Sequence, residues 1–303
     1  MLVAGGAGFI GSHAVTSLLN RGAHILNLDA LTYASAAGAG RYHASNCYQF
    51  VHGDIGDRNT VLGLLRSFNP DIVLNLAAET HVDRSIDDAQ PFVYANVVAL
   101  TSLLQACVQY WRETKPARWS VEVGEFTEES RLAPNSPYAA TKASGDHLVA
   151  AFHATYNLPT MTLRSTNAYG PRQYPEKFIP HMISAALRRI PMALYGDGSN
   201  VRDWLYVEDL AEGITLALEK GRVAETYNFA AKNERKNREV LELLCERLDG
   251  LLPLNAPHAR LIQLVPDRPG HDKRYAVSPE KATRELGWCS RTTFETGLAL
   301  TVK

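Results

Sequence analysis

A tyrosine and a lysine four residues apart, Tyr138 and Lys142, have the types and spacing that suggest acid–base chemistry. They lie in the segment PYAATKAS, and a spacing of four in a helix places both side chains on one face. A Lys ammonium beside a phenol favours the phenolate and lowers the pKa of the tyrosine from about 10. Such a tyrosine could accept a proton from a substrate hydroxyl. The pattern YxxxK also occurs by chance, so it needs support from the surrounding elements.

A glycine-rich segment near the N-terminus, VAGGAGFIGS, predicts a dinucleotide site. Gly5, Gly8 and Gly11 follow a predicted strand and open a helix, where they allow a tight turn, the approach of a pyrophosphate and close helix–strand contact. The second predicted strand ends in Asp29, whose carboxylate can accept hydrogen bonds from the ribose hydroxyls of NAD. A carboxylate there would repel the 2′-phosphate of NADP. We therefore favour NAD, with NADP and a structural glycine turn as alternatives.

Composition limits the class of protein. The chain has 303 residues, 46% of them hydrophobic, and a formal charge of -1 without a run of Lys or Arg, so nucleic acid and membrane surfaces are not expected partners. The four cysteines form no CxxC and no metal-ligand spacing, which favours a reducing compartment and no bound metal. No apolar run approaches the roughly 20 residues of a membrane span. Met1 leads directly into a strand, so we expect a cytoplasmic protein.

Alternating β-rich runs and helical patterns predict an α/β fold, a Rossmann-type doubly wound parallel sheet with a smaller C-terminal substrate-binding domain. The predicted strands are 2–6, 24–29, 48–54, 71–78 and 158–164, and the predicted helices are 11–21, 57–68, 92–112, 177–190, 208–220 and 237–248. Ser278 is predicted to cap a last helix with Pro279 in its first turn. We assign residues 1–166, with a return segment near 203–225, to the NAD-binding domain and 167–303 mainly to the substrate domain.

The predicted helix 92–112, FVYANVVALTSLLQACVQYWR, is apolar on nearly every face. A helix of this kind must be covered on both sides. Beyond packing on the sheet, it is therefore expected to contact a partner subunit. A deep helix within one chain is the alternative.

Several longer motifs accompany these features. They are AGGAGFIGS, LDALTYA, NLAAETHVDRSI, PNSPYAATKASGDHLV, NAYGPRQYPEKFIP, YGDGSNVRDWLYVEDL and DRPGHDKRYA. Together they resemble the extended short-chain dehydrogenase/reductase family over nearly the whole chain, and within it the dTDP-glucose 4,6-dehydratases. The last three motifs are more specific than the nucleotide motif and separate dehydratases from most epimerases and decarboxylases of similar fold. The resemblance also implies a homodimer and a place in deoxysugar biosynthesis.

The pattern and the resemblance together give the expected site residues. The NAD contacts are Gly5, Gly8, Phe9, Ile10, Asp29, Thr32, Asp54, Ile55, Leu76, Ala77, Ala78, Tyr138 and Lys142. The sugar-nucleotide contacts implied by the resemblance are Thr80, Asn167, Lys177, Phe178, Tyr195, Arg202, Asn237, Arg268 and His271. Arg and Lys suit a diphosphate, because guanidinium groups donate forked hydrogen bonds and Lys supplies a point charge. Two positions depart from the family: Ala168 replaces a usual Asn, and Ala95 a frequent Thr.

The resemblance also implies a mechanism, with Tyr138, Lys142 and Thr80 as the catalytic residues. The C4 hydroxyl of the sugar is oxidised at the expense of NAD with Tyr138 as base, water leaves across C5 and C6, and hydride returns to C6. The family's acid and base for the water elimination are adjacent Asp and Glu residues in a strand-end motif of the form STDEVYG. Two other functions stay open: a sugar-nucleotide epimerase or decarboxylase, and a catalytically silent binder of NAD and sugar nucleotide.

The acid–base motif has no clear counterpart in this chain. A fifth strand is needed between the helix ending near Arg112 and the helix of Tyr138, and the candidate ARWSVEVG alternates like a half-exposed strand. In one alignment, residues 120–123 replace Thr-Asp-Glu-Val, so that Glu122 keeps the base and Val121 replaces the acid. In the other, about ten residues carrying the strand and its motif are absent between Trp119 and Ser120. We favour the second, because it explains the missing apolar residues.

Overall fold

The computed structural model describes residues 1–35, 46–114, 123–124, 128, 134, 136–268 and 271–303. The strands are β1 Leu2–Ala4, β2 Ile25–Asp29, β3 Tyr48–His52, β4 Val73–Asn75, β5 Val123–Gly124, β6 Thr162–Ser165, β7 Asn167–Tyr169, β8 Met192–Tyr195, β9 Val201–Tyr206, β10 Thr226–Phe229, β11 Glu234–Lys236, β12 Ile262–Val265 and β13 Arg274–Tyr275. The helices are α1 Phe9–Asn20, α2 Arg58–Phe68, α3 Val82–Asp87, α4 Gln90–Val93, α5 Leu100–Thr114, α6 Pro137–Tyr156, α7 Phe178–Arg188, α8 Val207–Lys220, α9 Asn237–Leu251, α10 Glu280–Leu286 and α11 Phe294–Val302. A π-helical segment, Tyr94–Ala99, joins α4 to α5, and short 3₁₀ turns span Pro253–Asn255 and His258–Leu261.

Parallel strands form the centre of the first half, in the hydrogen-bonded order β3-β2-β1-β4. Leu2 pairs with Leu26 on one side and Val73 on the other, and every residue of β1, β2 and β4 is buried. Strands covered on both faces favour continuous apolar runs, as in LVA of β1. In ILNLD of β2 the two polar residues, Asn27 and Asp29, are buried and hydrogen-bonded. The predicted α/β fold with a parallel sheet is confirmed.

Helices cover both faces of this sheet. On one face, α2 packs against α5 over Val61, Leu65 and Leu104. On the other face α1 packs against α8, and the chain after α8 continues into β10, which pairs in parallel with β6. A third core, around Tyr169 and Trp204, joins α7, α9 and α11 to β9.

Some element boundaries differ from the predictions. The strand predicted over 71–78 spans only Val73–Asn75, although Leu76 N–H still donates to Ala4 C=O of β1 at 2.8 Å. The prediction that Ser278 caps a last helix is wrong in two respects. Pro279 occupies the N-cap of α10, although Ser278 Oγ accepts a hydrogen bond from Glu280 N–H at 3.4 Å, and α11 follows α10.

The helical run from α4 through the π-helical segment to α5 has both buried and exposed residues. Leu100, Leu103 and Leu104 are at most 1% exposed, whereas Val93 and Val98 are 44% and 49% exposed. Over Gln90–Thr114 the run is long and apolar enough to cross a membrane by length and composition, and half of its most apolar window is buried inside the protein. We expected no apolar run long enough to span a membrane. The run Gln90–Thr114 was missed because Ser, Thr and Gln residues interrupt its apolar residues.

The junction between Trp119 and Ser120, and with it the question of the two alignments, lies outside the described residues. The described residues after it begin with β5, where Val123 and Gly124 pair in parallel with Leu163 and Arg164 of β6. Among the described strands, the ladder β10-β6-β5 is separate from the ladder β3-β2-β1-β4.

Candidate active site

The turn between β1 and α1 has the geometry that its glycines predicted. Gly5 adopts φ +76°, and a Cβ there would lie 2.5 Å from the backbone N of Ala77. A Cβ on Gly11 would lie 2.1 Å from the carbonyl oxygen of Gly5, so only glycine allows α1 to approach the turn this closely. Gly8 is the N-cap, and Phe9 and Ile10 begin the helix. Gly8 N–H donates to Gly5 C=O at 3.1 Å. The N–H groups of the first helical turn, at Phe9 and Ile10, have no partner within the helix, and together with the helix dipole they suit the pyrophosphate of a dinucleotide.

Asp29 ends β2 beside this turn and is 5% exposed. One carboxylate oxygen accepts a hydrogen bond from Ala7 N–H at 2.9 Å. The other accepts hydrogen bonds from Leu31 N–H at 2.8 Å and Ser35 Oγ at 3.2 Å. A carboxylate offers about four acceptor positions, so the three donors among the described residues leave room for about one ribose hydroxyl. The site therefore fits NAD, with a carboxylate that is already fixed in orientation.

Asn27 is a supporting residue that the sequence analysis missed. It is fully buried in β2, where Oδ1 accepts a hydrogen bond from Gly6 N–H and Nδ2 donates to Tyr48 OH, both at 2.9 Å. Its side chain thus holds the glycine turn against the sheet. The available signal was a lone Asn inside the apolar strand HILNLD.

The remaining predicted NAD contacts lie along the carboxyl ends of the strands. Asp54 accepts hydrogen bonds from Gly56 N–H at 2.7 Å and Tyr94 OH at 3.1 Å, and the bond to Asp54 raises the pKa of Tyr94. Ile55 is buried in the core beside α2. The others are the half-buried Leu76, Ala77 and Ala78 after β4 and the exposed Thr32 after β2.

Helix α6 carries both Tyr138 and Lys142, and both are half-buried. Ser136 caps this helix by accepting a hydrogen bond from Ala139 N–H at 3.2 Å. Tyr138 N–H donates to Ser85 Oγ at 3.3 Å, and the Tyr138 ring meets the edge of Phe92 with 6.4 Å between centroids. The start of α6 is thereby held against α3 and α4.

Asn96 is a second residue that the sequence analysis missed. It is 1% exposed in the π-helical segment, and its side chain accepts a hydrogen bond from Glu79 N–H and donates to Glu79 C=O, each at 3.0 Å. It also donates to Thr141 Oγ1 at 3.0 Å, and Thr141 Oγ1 donates to Tyr138 C=O at 2.8 Å. One amide therefore joins the loop after β4 to the helix of the Tyr–Lys pair.

Two predicted substrate residues, Thr80 and Lys177, are brought into direct contact. Lys177 Nζ donates to Thr80 C=O at 2.9 Å and to Thr80 Oγ1 at 3.1 Å. Burial lowers the pKa of Lys177, and the neighbouring Glu176 carboxylate opposes this shift. A half-buried ammonium is therefore placed beside the threonine that the resemblance assigned to the sugar.

A second set of predicted substrate residues meets where β8 and β9 lie near residues 267, 268, 271 and 272. Tyr195, at the end of β8, packs edge-on against His271 with 6.2 Å between ring centroids. His271 Nδ1 lies 2.6 Å from Asp267 Oδ1, and the His271 side chain is 6% exposed. Burial and the charges of Arg268 and Arg202 lower the pKa of His271, against the opposing bond to Asp267.

The two arginines of this set have different partners. Arg202 is 8% exposed and donates to Val201 C=O at 2.7 Å and Asp272 C=O at 2.9 Å. Arg268 forms an ion pair with Asp83 of α3 at 3.1 Å. Guanidinium groups donate forked hydrogen bonds, so two arginines at this end suit a diphosphate.

Three other predicted substrate residues lie around these sets. Asn167 of β7 pairs in register with Trp204, and the Phe178 ring at the start of α7 lies 6.0 Å from the Trp204 ring. Asn237 begins α9 directly after Lys236, which pairs in register with Val201, one residue before Arg202. Ala168, one of the two departures, lies on β7 beside Leu205.

Comparison with known proteins gives a consistent result. A family model described as GDP-mannose 4,6 dehydratase matches residues 2–301. A dTDP-glucose 4,6-dehydratase of Xanthomonas campestris pv. campestris is 47% identical, with 99% of this chain and 91% of that protein covered. A dTDP-glucose 4,6-dehydratase of Streptomyces venezuelae, crystallised with NAD bound, has a TM-score of 0.92 and 39% identity over 99% of this chain and 95% of that one. A UDP-glucose 4-epimerase of Thermus thermophilus, in complex with NAD, has a TM-score of 0.83 and 34% identity over 99% and 97% of the two chains.

The alignment with the Xanthomonas protein also measures a difference in length. It runs over 320 positions, which exceeds the 303 residues of this chain by 17. At least that many positions therefore have a residue in the relative and none here.

Proposed function

The chain belongs to the extended short-chain dehydrogenase/reductase family and, within it, to the group of the dTDP-glucose 4,6-dehydratases, and from this membership we propose that it dehydrates dTDP-glucose to dTDP-4-keto-6-deoxyglucose with bound NAD. The observation that carries the proposal is the similarity to these dehydratases along 99% of the chain. The contact between Lys177 and Thr80, close to the helix of Tyr138, supports it. The turn at Gly5 with Asp29 suits the cofactor.

In this mechanism, bound NAD would supply the acceptor for the hydride from C4 and its later donor to C6. Tyr138 accepts the proton of the C4 hydroxyl, and the Lys142 ammonium on the same face of α6 stabilises the phenolate. Thr80 binds the sugar, and Lys177 holds Thr80 in place. Arg202 and Arg268 bind the diphosphate, which fixes the sugar over Tyr138.

The elimination of water needs a base for C5–H and an acid for the C6 hydroxyl. The 303 residues contain no segment of the form STDEVYG, and Glu122 of the alternative alignment lies outside the described residues. This lack favours a second candidate function, a catalytically silent binder of NAD and sugar nucleotide. A sugar-nucleotide epimerase, which needs Tyr138 and Lys142 but no Asp–Glu pair, is favoured by the same lack.

One incubation separates these functions. Purified protein is mixed with dTDP-glucose, and the nucleotide sugars are analysed by mass spectrometry and NMR. A product lighter by one water, with a C4 ketone and a C6 methyl group, supports the dehydratase. A product of unchanged mass with inverted stereochemistry supports the epimerase, and dTDP-glucose that binds without change supports the silent binder.

We also propose a soluble, cytoplasmic homodimer that does not bind membranes or nucleic acid. The exposed apolar side chains Val93, Tyr94 and Val98 lie at the start of the run Gln90–Thr114, and Tyr156 is exposed at the end of α6. Covering such side chains with a second copy would remove apolar surface from water. Light scattering should give twice the chain mass, and Val98→Glu should shift the protein towards the monomer. A wild-type monomer would contradict this proposal.

A further inference from the structure

A half-buried network around Glu176 joins three segments of the chain. The Glu176 side chain is 10% exposed, and its carboxylate lies 3.3 Å from Arg84 Nη2 and 3.5 Å from Lys177 Nζ. Tyr33 OH lies 3.3 Å from an oxygen of Glu176 and 3.3 Å from an oxygen of Glu79. The Arg84 guanidinium stacks over the Tyr33 ring, 4.1 Å from its centroid. The segments are the loop after β2, the region from the end of β4 into α3, and the loop before α7.

The hydroxyl of Tyr33 is the donor that this network shares. Burial raises the pKa of Tyr33, so the phenol keeps its proton and donates to one carboxylate at a time. Burial also raises the pKa of Glu79. Glu176 therefore interacts with a hydroxyl donor and with the cations Arg84 and Lys177, and its carboxylate is held in one orientation.

Glu176 matters to Lys177 for an electrostatic reason. Burial disfavours the Lys177 ammonium, and Glu176 is the strongest group acting in the opposite direction. The other charged or titratable groups that act on Lys177 include Glu79, which favours the ammonium, and Arg84, which disfavours it; His81 is a further neighbour. A lysine side chain is long and flexible, so a charged neighbour is needed to keep it at Thr80.

We propose that Glu176 and Tyr33 are positioning residues of the sugar-nucleotide site, with Tyr33 orienting Glu176 and Glu176 holding the Lys177 ammonium where it meets Thr80 and the bound diphosphate. This inference rests on the proposed function, which places the sugar nucleotide at Lys177 and Thr80. Tyr33 follows Asp29 in the loop after β2, so the network also connects the dinucleotide end to the substrate end.

The first test measures dTDP binding by calorimetry with NAD-loaded protein, which needs no turnover. Glu176→Gln should weaken binding roughly tenfold, because it removes an ionic partner of Lys177 at a partly exposed site. Tyr33→Phe should weaken it a few-fold. The double variant should bind as Glu176→Gln does, because Tyr33 acts through Glu176. Glu242→Gln, an exposed carboxylate of α9, is the matched control and should bind like the wild type.

The second test follows dTDP affinity from about pH 7.5 to about pH 10, where an ammonium with a lowered pKa loses its proton. Wild-type affinity should fall as the pH rises through the pKa of Lys177. In Glu176→Gln the fall should come at lower pH, because the anion that favours the ammonium is gone, and Glu176→Asp should restore the profile. A purely structural role would lower the unfolding temperature without shifting this profile.

The inference is overturned if Glu176→Gln binds dTDP like Glu242→Gln at every pH. Failure of the proposed function has a different signature. In that case wild-type protein binds dTDP and forms no dehydrated product, while Glu176→Gln still binds dTDP more weakly than Glu242→Gln.

Discussion

The two ends of the proposed active site are built to hold anionic groups by different means. At the dinucleotide end, the described contacts are the glycine turn at Gly5, backbone N–H groups at the start of α1, and Asp29 fixed largely by backbone donors. At the sugar-nucleotide end, charged side chains pair with carboxylates: Lys177 with Glu176 at 3.5 Å, and Arg268 with the distant Asp83 at 3.1 Å. Backbone geometry sets the first end, whereas mutual electrostatics sets the second. The two ends should therefore respond differently to substitution, salt and pH.

The largest expected effect lies between the two ends, at Tyr138. Tyr138→Phe removes the hydroxyl that accepts the proton and should lower the rate of dTDP-glucose conversion by roughly 10²- to 10⁴-fold. NAD content should stay at the wild-type level, because the glycine turn and Asp29 are untouched. Initial rates measure the conversion of dTDP-glucose, and the absorbance of the released cofactor measures NAD content. Unchanged turnover would remove Tyr138 from its role as base.

At the dinucleotide end, a substitution should act by displacing the backbone of the glycine turn and α1. In Gly11→Ala the new Cβ would lie 2.1 Å from Gly5 C=O, so α1 must move away from the turn. The expected loss is about 1 to 3 kcal/mol in the free energy of unfolding, together with weaker retention of NAD. Denaturant unfolding and cofactor content are the measurements.

Gly63→Ala in α2 is the matched control for that substitution. A Cβ there meets no atom within 4 Å, and alanine favours a helix over glycine. This variant should gain roughly 0.5 to 1 kcal/mol and keep its NAD. Equal effects at the two glycines would contradict the backbone explanation of the dinucleotide end.

Salt should distinguish the two ends by a smaller effect. Raising the ionic strength from about 0.05 M to about 0.5 M should weaken dTDP binding several-fold, because salt screens partly exposed charges such as those of Arg268 and Lys177. Retention of NAD should change less, since backbone N–H groups and a helix terminus carry only partial charges. Calorimetry for dTDP and cofactor content for NAD test this. Equal salt dependence would mean that both ends rely on side-chain charge.

The smallest expected effect is a pH dependence at His271. Its pKa lies below the usual value of about 6.5 through burial and the charges of Arg268 and Arg202, so it is neutral at pH 7 without ligand. A bound diphosphate favours the protonated ring, so binding should take up a proton and tighten a few-fold as pH falls through the region below 6.5. In Tyr138→Phe protein the expected slow turnover allows dTDP-glucose binding to be measured before the substrate is converted. His271→Asn should flatten the profile, and an unchanged profile would exclude His271 as the cause.

The sequence predicted the dinucleotide end better than the substrate end. GxxGxxG, the strand ending in Asp29 and the helix of Tyr138 and Lys142 are local patterns, and the structure has each of these elements within a few residues of its predicted position. The substrate residues came from resemblance, and their mutual contacts could not be inferred. Lys177 lies 97 residues from Thr80, and Arg268 lies 185 residues from Asp83. No periodicity in the chain encodes such pairs.

The sequence by itself determined the parallel α/β framework, the glycine turn and the spacing of the Tyr–Lys pair, because backbone conformation and helical periodicity depend on neighbouring residues. Only the tertiary structure decided which polar groups support them. Asn27 under the turn, Asn96 between β4 and α6, and Glu176 beside Lys177 are ordinary residues in the sequence. Their roles follow from burial, since a buried polar group must find partners wherever the fold brings them.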